Sequence, residues 1–214
     1  MSQNELFDAI RNNDAAAVAV LLDSDPSLLD ARQNHVTPIL FAAYHGHAEL
    51  AQLFLDRGAV LLFGEACALG DRAQAMRMLD SDPALLDAYS EDGFPPVGLA
   101  VFFRHPELAS ALIERGADVN AVARNAFGVA PVHAAASVGD AATMRLLLGR
   151  GAEANARQQL GYTALHTAAQ LGDEEIVDLL LAHGADPHAA ADDGKTPADL
   201  AAAQGHLEIA KRFS

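Results

Sequence analysis

The chain of 214 residues carries 29 acidic and 14 basic side chains, a formal net charge of -15, one Cys and no Trp. A single Cys excludes an internal disulfide bond, and no spacing of Cys with His builds a structural zinc site. The acidic excess repels phosphate groups, and no stretch approaches the roughly 18 to 20 apolar residues of a membrane span, so we expect neither a nucleic-acid nor a membrane partner.

The first ten residues include Glu5 and Asp8 and lack the basic segment and long apolar core of a signal peptide. We therefore expect a cytoplasmic protein. Its single Cys indicates a reducing environment, and we expect no metal or cofactor.

Short segments of similar sequence recur along the chain and predict the starts of helices. Thr37-Pro38 and Thr196-Pro197 each place a hydroxyl that caps free backbone amides just before a Pro suited to the first helical turn. Segments of this kind recur at intervals of about 33 residues. They are His35–Leu40 (HVTPIL), Gly93–Gly98 (GFPPVG), Gly128–His133 (GVAPVH), Gly161–His166 (GYTALH) and Gly194–Asp199 (GKTPAD).

A glycine roughly nine residues after most starts predicts a sharp turn into a second helix. In that second helix, Ile176, Leu179 and Leu180 follow the i, i+3, i+4 spacing of one buried face. The best-marked pair of helices is expected at about 163–171 and 173–182. A basic residue or His followed by Gly ends the second helix, as at Arg57, Arg115, Arg150 and His183. The repeating unit is therefore helix, tight turn, helix, loop.

The start segment, the Gly turn and the basic residue or His before Gly keep the same spacing through several units. Together they resemble the ankyrin-repeat family, whose repeat of about 33 residues starts with Thr-Pro-Leu-His. The resemblance covers the chain from about Asn4 to Phe213 and implies an all-α solenoid of paired antiparallel helices with hairpin loops. We place about seven units, including end caps, in a single domain over residues 1–214. Their approximate bounds are 2–34, 35–58, 59–92, 93–127, 128–160, 161–193 and 194–214.

Two units depart from the common length. The step from Gly46 to Gly70 is 24 residues, so the third unit lacks the loop and hairpin that precede the first helix elsewhere. Two extra residues between Val119 and Gly128 predict a longer hairpin tip around 124–127. A solenoid couples only neighbouring units and tolerates both changes, but we expect its concave surface to be interrupted at the third unit.

The nine His residues form no metal-binding or catalytic pattern. His133 and His166 end the start motif, where the resemblance implies that the imidazole bonds to nearby loop groups. Cys67 stands where other units have a small Ala, which predicts a buried thiol. The sequence contains no His-Glu-x-x-His, no Gly-rich phosphate loop and no Gly-x-Ser-x-Gly motif. We therefore predict a protein that is not an enzyme.

The resemblance also implies that partners bind at the hairpin tips and at the residues before the Gly that ends each first helix. Aromatic residues make up only 6% of the chain, yet six of the twelve occupy these positions. The predicted partner-binding residues are Tyr44, His45, Leu69, Phe94, Phe102, Phe103, Phe127, Val129, Val138, Leu160, Tyr162 and Leu171. An alternative is that the shortened third unit draws Tyr44, Phe102 and Phe103 into the core.

The sequence thus predicts a monomer that binds another protein through its concave face and hairpin tips. A first alternative is an acidic inhibitor or immunity-type protein that masks the basic surface of a toxin or an enzyme. Because salt screens charges, binding of that kind weakens strongly as ionic strength rises. A remote alternative is an enzyme with an unrecognised site.

Overall fold

The computed structural model describes residues 3–213 and is built from fourteen α-helices with three short 3₁₀ helices. Each odd-numbered helix contacts the following even-numbered one and also the next odd-numbered one, so the helices stack as pairs. The helices are α1 Gln3–Arg11, α2 Ala15–Ser24, α3 Pro38–Tyr44, α4 Ala48–Asp56, α5 Phe63–Leu69, α6 Arg72–Ser81, α7 Pro96–Phe102, α8 Pro106–Glu114, α9 Pro131–Val138, α10 Ala141–Gly149, α11 Ala164–Leu171, α12 Glu174–Ala182, α13 Pro197–Ala203 and α14 Leu207–Arg212.

No β-strand is found between residues 3 and 213, where the only β-pairing is two isolated bridges, Gln33 with Val36 and Arg157 with Thr163. The prediction of paired helices without a sheet beyond the hairpin loops is confirmed. The bounds of the individual repeat units stay a prediction.

Side-chain caps explain why the helices begin where they do. The Thr37 hydroxyl accepts a hydrogen bond from the Leu40 amide at 3.1 Å, and Pro38 fills the first turn of α3. The second helices of several pairs begin after Asp, and the Asp173 carboxylate accepts from the Ile176 amide at 3.0 Å. These bonds satisfy amides that have no partner inside the helix. The predicted pair at 163–171 and 173–182 is confirmed by α11 and α12.

The apolar interior is divided into two clusters rather than forming one continuous core. The first runs from Leu6 to Phe54 and the second from Phe63 to Phe213. The division falls between α4 and α5, where the sequence lacks a loop and hairpin. Each pair of helices buries its apolar face against its neighbours. The buried apolar core is interrupted at the shortened unit.

Hairpin tips precede most of the odd-numbered helices, and we name each tip by the two residues whose backbone groups close it. The predicted lengthening around 124–127 is confirmed, because the Ala123 amide bonds to the Val129 carbonyl at 2.9 Å around a five-residue loop. The corresponding loop between Gln158 and Tyr162 has three residues. The tips are 33–36, 90–94, 123–129, 158–162 and 191–195, and none precedes α5.

A buried carboxylate replaces the missing hairpin at the start of α5. Glu65 occupies the position that His133 and His166 hold in α9 and α11, and it is only 3% exposed. One carboxylate oxygen accepts from the Leu62 amide at 2.7 Å, and the other accepts from the Thr37 hydroxyl of the preceding pair. Burial raises the pKa of the Glu65 carboxyl, while these two hydrogen bonds act in the opposite direction. Glu65 therefore ties α5 to α3.

Tip 90–94 contacts residues from the other side of the gap directly. The Arg32 guanidinium binds Glu91 with two bonds, Nε to Oε2 at 2.6 Å and Nη2 to Oε1 at 3.2 Å. The Tyr44 hydroxyl at the end of α3 donates to Asp92 at 2.7 Å. Both contacts join residues that precede α4 to tip 90–94 and bypass the α5–α6 pair. The missing hairpin thus brings together residues nearly fifty or more positions apart in sequence.

The Thr37 hydroxyl caps α3 and also donates a hydrogen bond to the buried Glu65, so its removal destabilises the fold in two ways. We expect Thr37→Val to lower the free energy of unfolding by roughly 2 to 4 kcal/mol, because a helix cap is lost and a buried acceptor is left without its donor. Thr196→Val is the matched control, since Thr196 caps α13 through the Asp199 amide at 3.3 Å near the surface. We expect the control to lose about 1 kcal/mol. Urea unfolding near pH 7 measures both, and equal losses would show that the tie to Glu65 contributes nothing.

Candidate functional site

A cavity of about 270 Å³ opens between α3, α7, α9 and tips 90–94 and 123–129. Its floor is made by small residues of the odd-numbered helices, Gly98 of α7 and Ala134 of α9. Its walls include five of the predicted partner-binding residues. These are Tyr44, Phe94, Phe102, Phe127 and Val129. We call this cavity and its walls the aromatic groove.

The space in the aromatic groove follows from a substitution in the start motif. Gly98 stands where His133 and His166 stand in their units, so α7 has no imidazole to fill the volume beside α9. The Gly98 backbone is helical, and a Cβ there would meet the ring of Pro95 at 3.1 Å. A larger side chain at position 98 would therefore press on Pro95 and narrow the groove.

The longer tip 123–129 places Phe127 at the mouth of the groove. The Phe127 amide donates to the Asn125 side chain at 3.0 Å, and the Asn125 amide group donates to the Asp92 carbonyl at 3.0 Å. These two bonds hold the inserted residues against the neighbouring tip. The Phe127 side chain remains 56% exposed, so the insertion presents a large ring to solvent.

Tyr44, Phe102 and Phe103 form an aromatic cluster that bridges the shortened unit. The ring of Phe103 lies 5.2 Å from that of Tyr44 and 5.2 Å from that of Phe102, measured between centroids. Phe103 is half-buried and packs on the second apolar cluster, whereas Phe102 is 46% exposed. Neither sequence expectation describes all three residues. Phe102 is exposed, while Phe103 and Tyr44 are half-buried and pack beside it.

The remaining predicted residues lie outside the groove. His45 is exposed with its ring 4.4 Å from that of Phe41, Val138 is half-buried, and Leu69 is half-buried against the first apolar cluster. At the end of α5, Leu69 packs toward the α1–α4 core, and its contact with a partner stays a prediction. Leu160 and Leu171 are exposed at 61% and 54%, and the half-buried Tyr162 donates to Asp193 at 3.0 Å.

A model of the ankyrin-repeat family, described as Ankyrin repeats (3 copies), matches residues 6–123 and 132–213. The chain belongs to the ankyrin-repeat family. Ankyrin repeats generally mediate protein–protein interaction. A search among curated proteins found no match to this chain.

His residues of the ankyrin start motif are structural, as the sequence implied. The Ala130 amide donates to Nδ1 of His133 at 3.0 Å, and Nε2 of His133 lies 2.9 Å from the Ala156 carbonyl. Burial lowers the pKa of both His133 and His166, which favours the neutral ring that accepts through Nδ1 and donates through Nε2. The Cys67 thiol is fully buried, and burial raises its pKa to about 12. A nucleophilic role for Cys67 has no support, because its thiolate is disfavoured.

The described part of the chain contains neither a cluster of metal ligands nor a membrane-spanning helix. Between residues 3 and 213, no group of three or more His, Cys, Asp or Glu side chains is placed to hold a metal ion. No helix in that range has the length and apolar character needed to cross a bilayer.

Carboxylates outnumber the basic side chains of this ankyrin array by 29 to 14. Nine of the 14 Lys and Arg side chains lie in ion pairs with carboxylates, which leaves a surplus of acidic groups. Near tip 191–195, hydrogen bonds from Lys195 and Tyr162 lower the pKa of Asp193 to about 2. Asp92 lies beside the aromatic groove through its bond to Tyr44. The groove is therefore apolar inside and acidic at its edge.

The two adjacent rings at the end of α7 should respond differently to truncation. We expect Phe103→Ala to lower the free energy of unfolding by roughly 2 to 4 kcal/mol, since it removes a ring packed on the core. Phe102→Ala should cost less than about 1 kcal/mol, because the ring is 46% exposed and Ala favours the helix. Chemical denaturation of the two variants measures the difference. A larger loss for Phe102→Ala would reverse the assignment of the two side chains.

Proposed function

We propose that this ankyrin-repeat protein binds another protein by receiving one large apolar side chain in the aromatic groove. The observation that carries the proposal is the cavity of about 270 Å³ bounded by Phe94, Phe102, Phe127 and Tyr44. Its volume is several times the roughly 30 Å³ occupied by a water molecule, so it has room for a Leu, Met or Phe side chain. Binding energy in protein interfaces concentrates in such anchors, seated in pockets that exclude water.

Contacts within the chain fix the walls of the groove in the absence of a partner. The rings of Phe103 and Tyr44 contact Phe102. The hydrogen bonds of Asn125 fix the tip that carries Phe127. A preformed pocket loses little conformational freedom on binding, which favours affinity for a given contact area. Leu160 and Leu171, exposed on the next tip and on α11, extend the apolar surface available to a partner.

Affinity capture with the purified chain as bait tests this proposal. We expect the double variant Phe102→Ala, Phe127→Ala to retain at least tenfold less of the protein captured by the wild type, because two large exposed rings are lost from the contact. Leu207→Ala is the matched control, since Leu207 is 57% exposed on α14 and does not line the groove. Circular dichroism checks that all variants are folded. Equal retention by the double variant and the control would refute the groove as the binding site.

The acid at the edge of the groove supports a second candidate, an acidic inhibitor or immunity-type protein that masks a basic toxin or enzyme. The supporting observation is the net charge of -15 together with Asp92 at the groove edge. The capture experiment separates the two candidates when it is repeated at several salt concentrations. Retention through apolar contacts persists at 0.5 to 1 M salt, whereas masking by charge is lost as the Debye length falls toward about 3 Å. Loss by salt with no effect of the double variant would favour the charge-masking role.

A further inference from the structure

Neighbouring hairpin tips are joined by one backbone hydrogen bond that recurs along the array. In three of the tips, the first loop residue donates its amide to a carbonyl of the preceding tip. Arg124 donates to Gly93 at 2.7 Å, Gln159 to Phe127 at 2.8 Å, and Asp192 to Leu160 at 2.9 Å. The last four tips thus form a ladder, in which tips 123–129 and 158–162 both donate and accept.

The ladder is interrupted where the third unit lacks its tip. Glu91 is the first loop residue of tip 90–94, and so it corresponds to the donors Gln159 and Asp192. In tip 33–36, Asn34 and His35 have φ of 52° and 66°, like Leu160 and Gly161 at 61° and 75°, so Asn34 corresponds to the acceptor Leu160. Within residues 3–213, the Glu91 amide and the Asn34 carbonyl take part in no bond between tips. The gap therefore leaves one donor and one acceptor of the ladder unused.

A cavity of about 200 Å³ lies at this gap. Its lining combines apolar side chains with polar groups at the edge. Residues of both flanking tips and of α3, α5 and the 3₁₀ helix Pro83–Asp87 contribute, namely His35, Leu40, Phe63, Glu65, Leu85 and Glu91. The Arg32–Glu91 ion pair joins the residue before tip 33–36 to tip 90–94. We call this cavity the tip slot.

We propose that the tip slot binds the turn of a β-hairpin from a partner protein, which takes the place of the missing tip. The turn donates a backbone N–H to the Asn34 carbonyl, accepts from the Glu91 N–H, and rests an apolar side chain against Leu40, Phe63 and Leu85. The occupant is a hairpin turn because tips 123–129 and 158–162 each fill the same pair of positions, bonding to the carbonyl of the preceding tip and to the amide of the following one. Addition of backbone to an unpaired edge is an established mode of peptide recognition. The slot is separate from the aromatic groove, and its occupancy does not depend on that groove.

The probe for this site is a disulfide-cyclised peptide that carries the chain's own tip sequence, residues 157–163. Titration into the full-length, isotope-labelled protein is followed by the NMR shifts of backbone amides. We expect saturable shifts at Glu91 and at residues 34–36, and at least tenfold slower hydrogen exchange of the Glu91 amide in the complex. Absence of saturable shifts at these residues with millimolar peptide would overturn the proposal.

A matched peptide tests whether the backbone bond carries the binding. The control is the same cyclic peptide with an N-methyl group on the residue corresponding to Gln159, which removes the N–H meant for Asn34. We expect its affinity to be at least tenfold lower. Equal affinity of the two peptides would refute the proposed pairing.

Filling the slot within the chain provides a second test. Replacing residues 60–61 with the sequence of residues 153–162 supplies the third unit with a complete tip. We expect this variant to protect the Glu91 amide and to abolish the peptide-induced shifts. The groove variant Phe102→Ala, Phe127→Ala should bind the peptide as the wild type does, which keeps this result distinct from the fate of the proposed groove. Unchanged peptide binding by the filled variant, or concentration-dependent dimerisation of the wild type through residues 34–36 and 91, would overturn the proposal of a partner's hairpin.

Discussion

Every pair of helices in this array must bury its apolar face against a neighbour, and the rest of the structure depends on how that neighbour is held in place. The third residue of several odd-numbered helices does this by satisfying its own helix N-terminus and bonding to an adjacent unit. His166 accepts from the Thr163 amide at 3.1 Å and its Nε2 lies 3.2 Å from the Lys195 carbonyl of the next tip. One neutral imidazole thus caps a helix and fixes the distance between units. The helices are too short to be stable alone, so this spacing governs both the core and the surface.

The shortened third unit shows what happens when that arrangement changes. Glu65 replaces the imidazole and reaches back to Thr37 rather than forward to a following tip. The apolar core is divided at this point, and the flanking pairs are joined instead by the Arg32–Glu91 and Tyr44–Asp92 contacts. The same rearrangement sets Tyr44 beside Phe103 and so supports one wall of the aromatic groove. A single deletion therefore accounts for the divided core, the aromatic cluster and the tip slot.

Much of the fold follows from sequence because its signals are local. Thr-Pro starts, Asp at the second helix and the Gly turns each act within a few residues, so the helix pair at 163–171 and 173–182 and the longer tip before Gly128 were predictable. The groove was predictable only in part. Gly98 in place of the motif His was visible in the sequence, yet its consequence depends on the packing of α7 against α9. The different exposures of Phe102 and Phe103 depend on the direction of each side chain at a helix end, and the contact of Tyr44 with Asp92 depends on two units meeting across a third. Interactions of that range leave no local pattern.

Amide hydrogen exchange under native conditions tests the central claim that the missing hairpin divides the molecule. If the two apolar clusters open separately, the slowest amides of α4, around Leu50 and Phe54, will exchange through an opening of lower free energy than those of α11 and α12, around Leu165 and Ile176. The first cluster is formed by α1–α4 and the second by α5–α14. Opening the first cluster therefore exposes less apolar surface and costs less free energy. The same opening free energy and the same denaturant dependence for both sets of amides would show one cooperative core and would contradict the account.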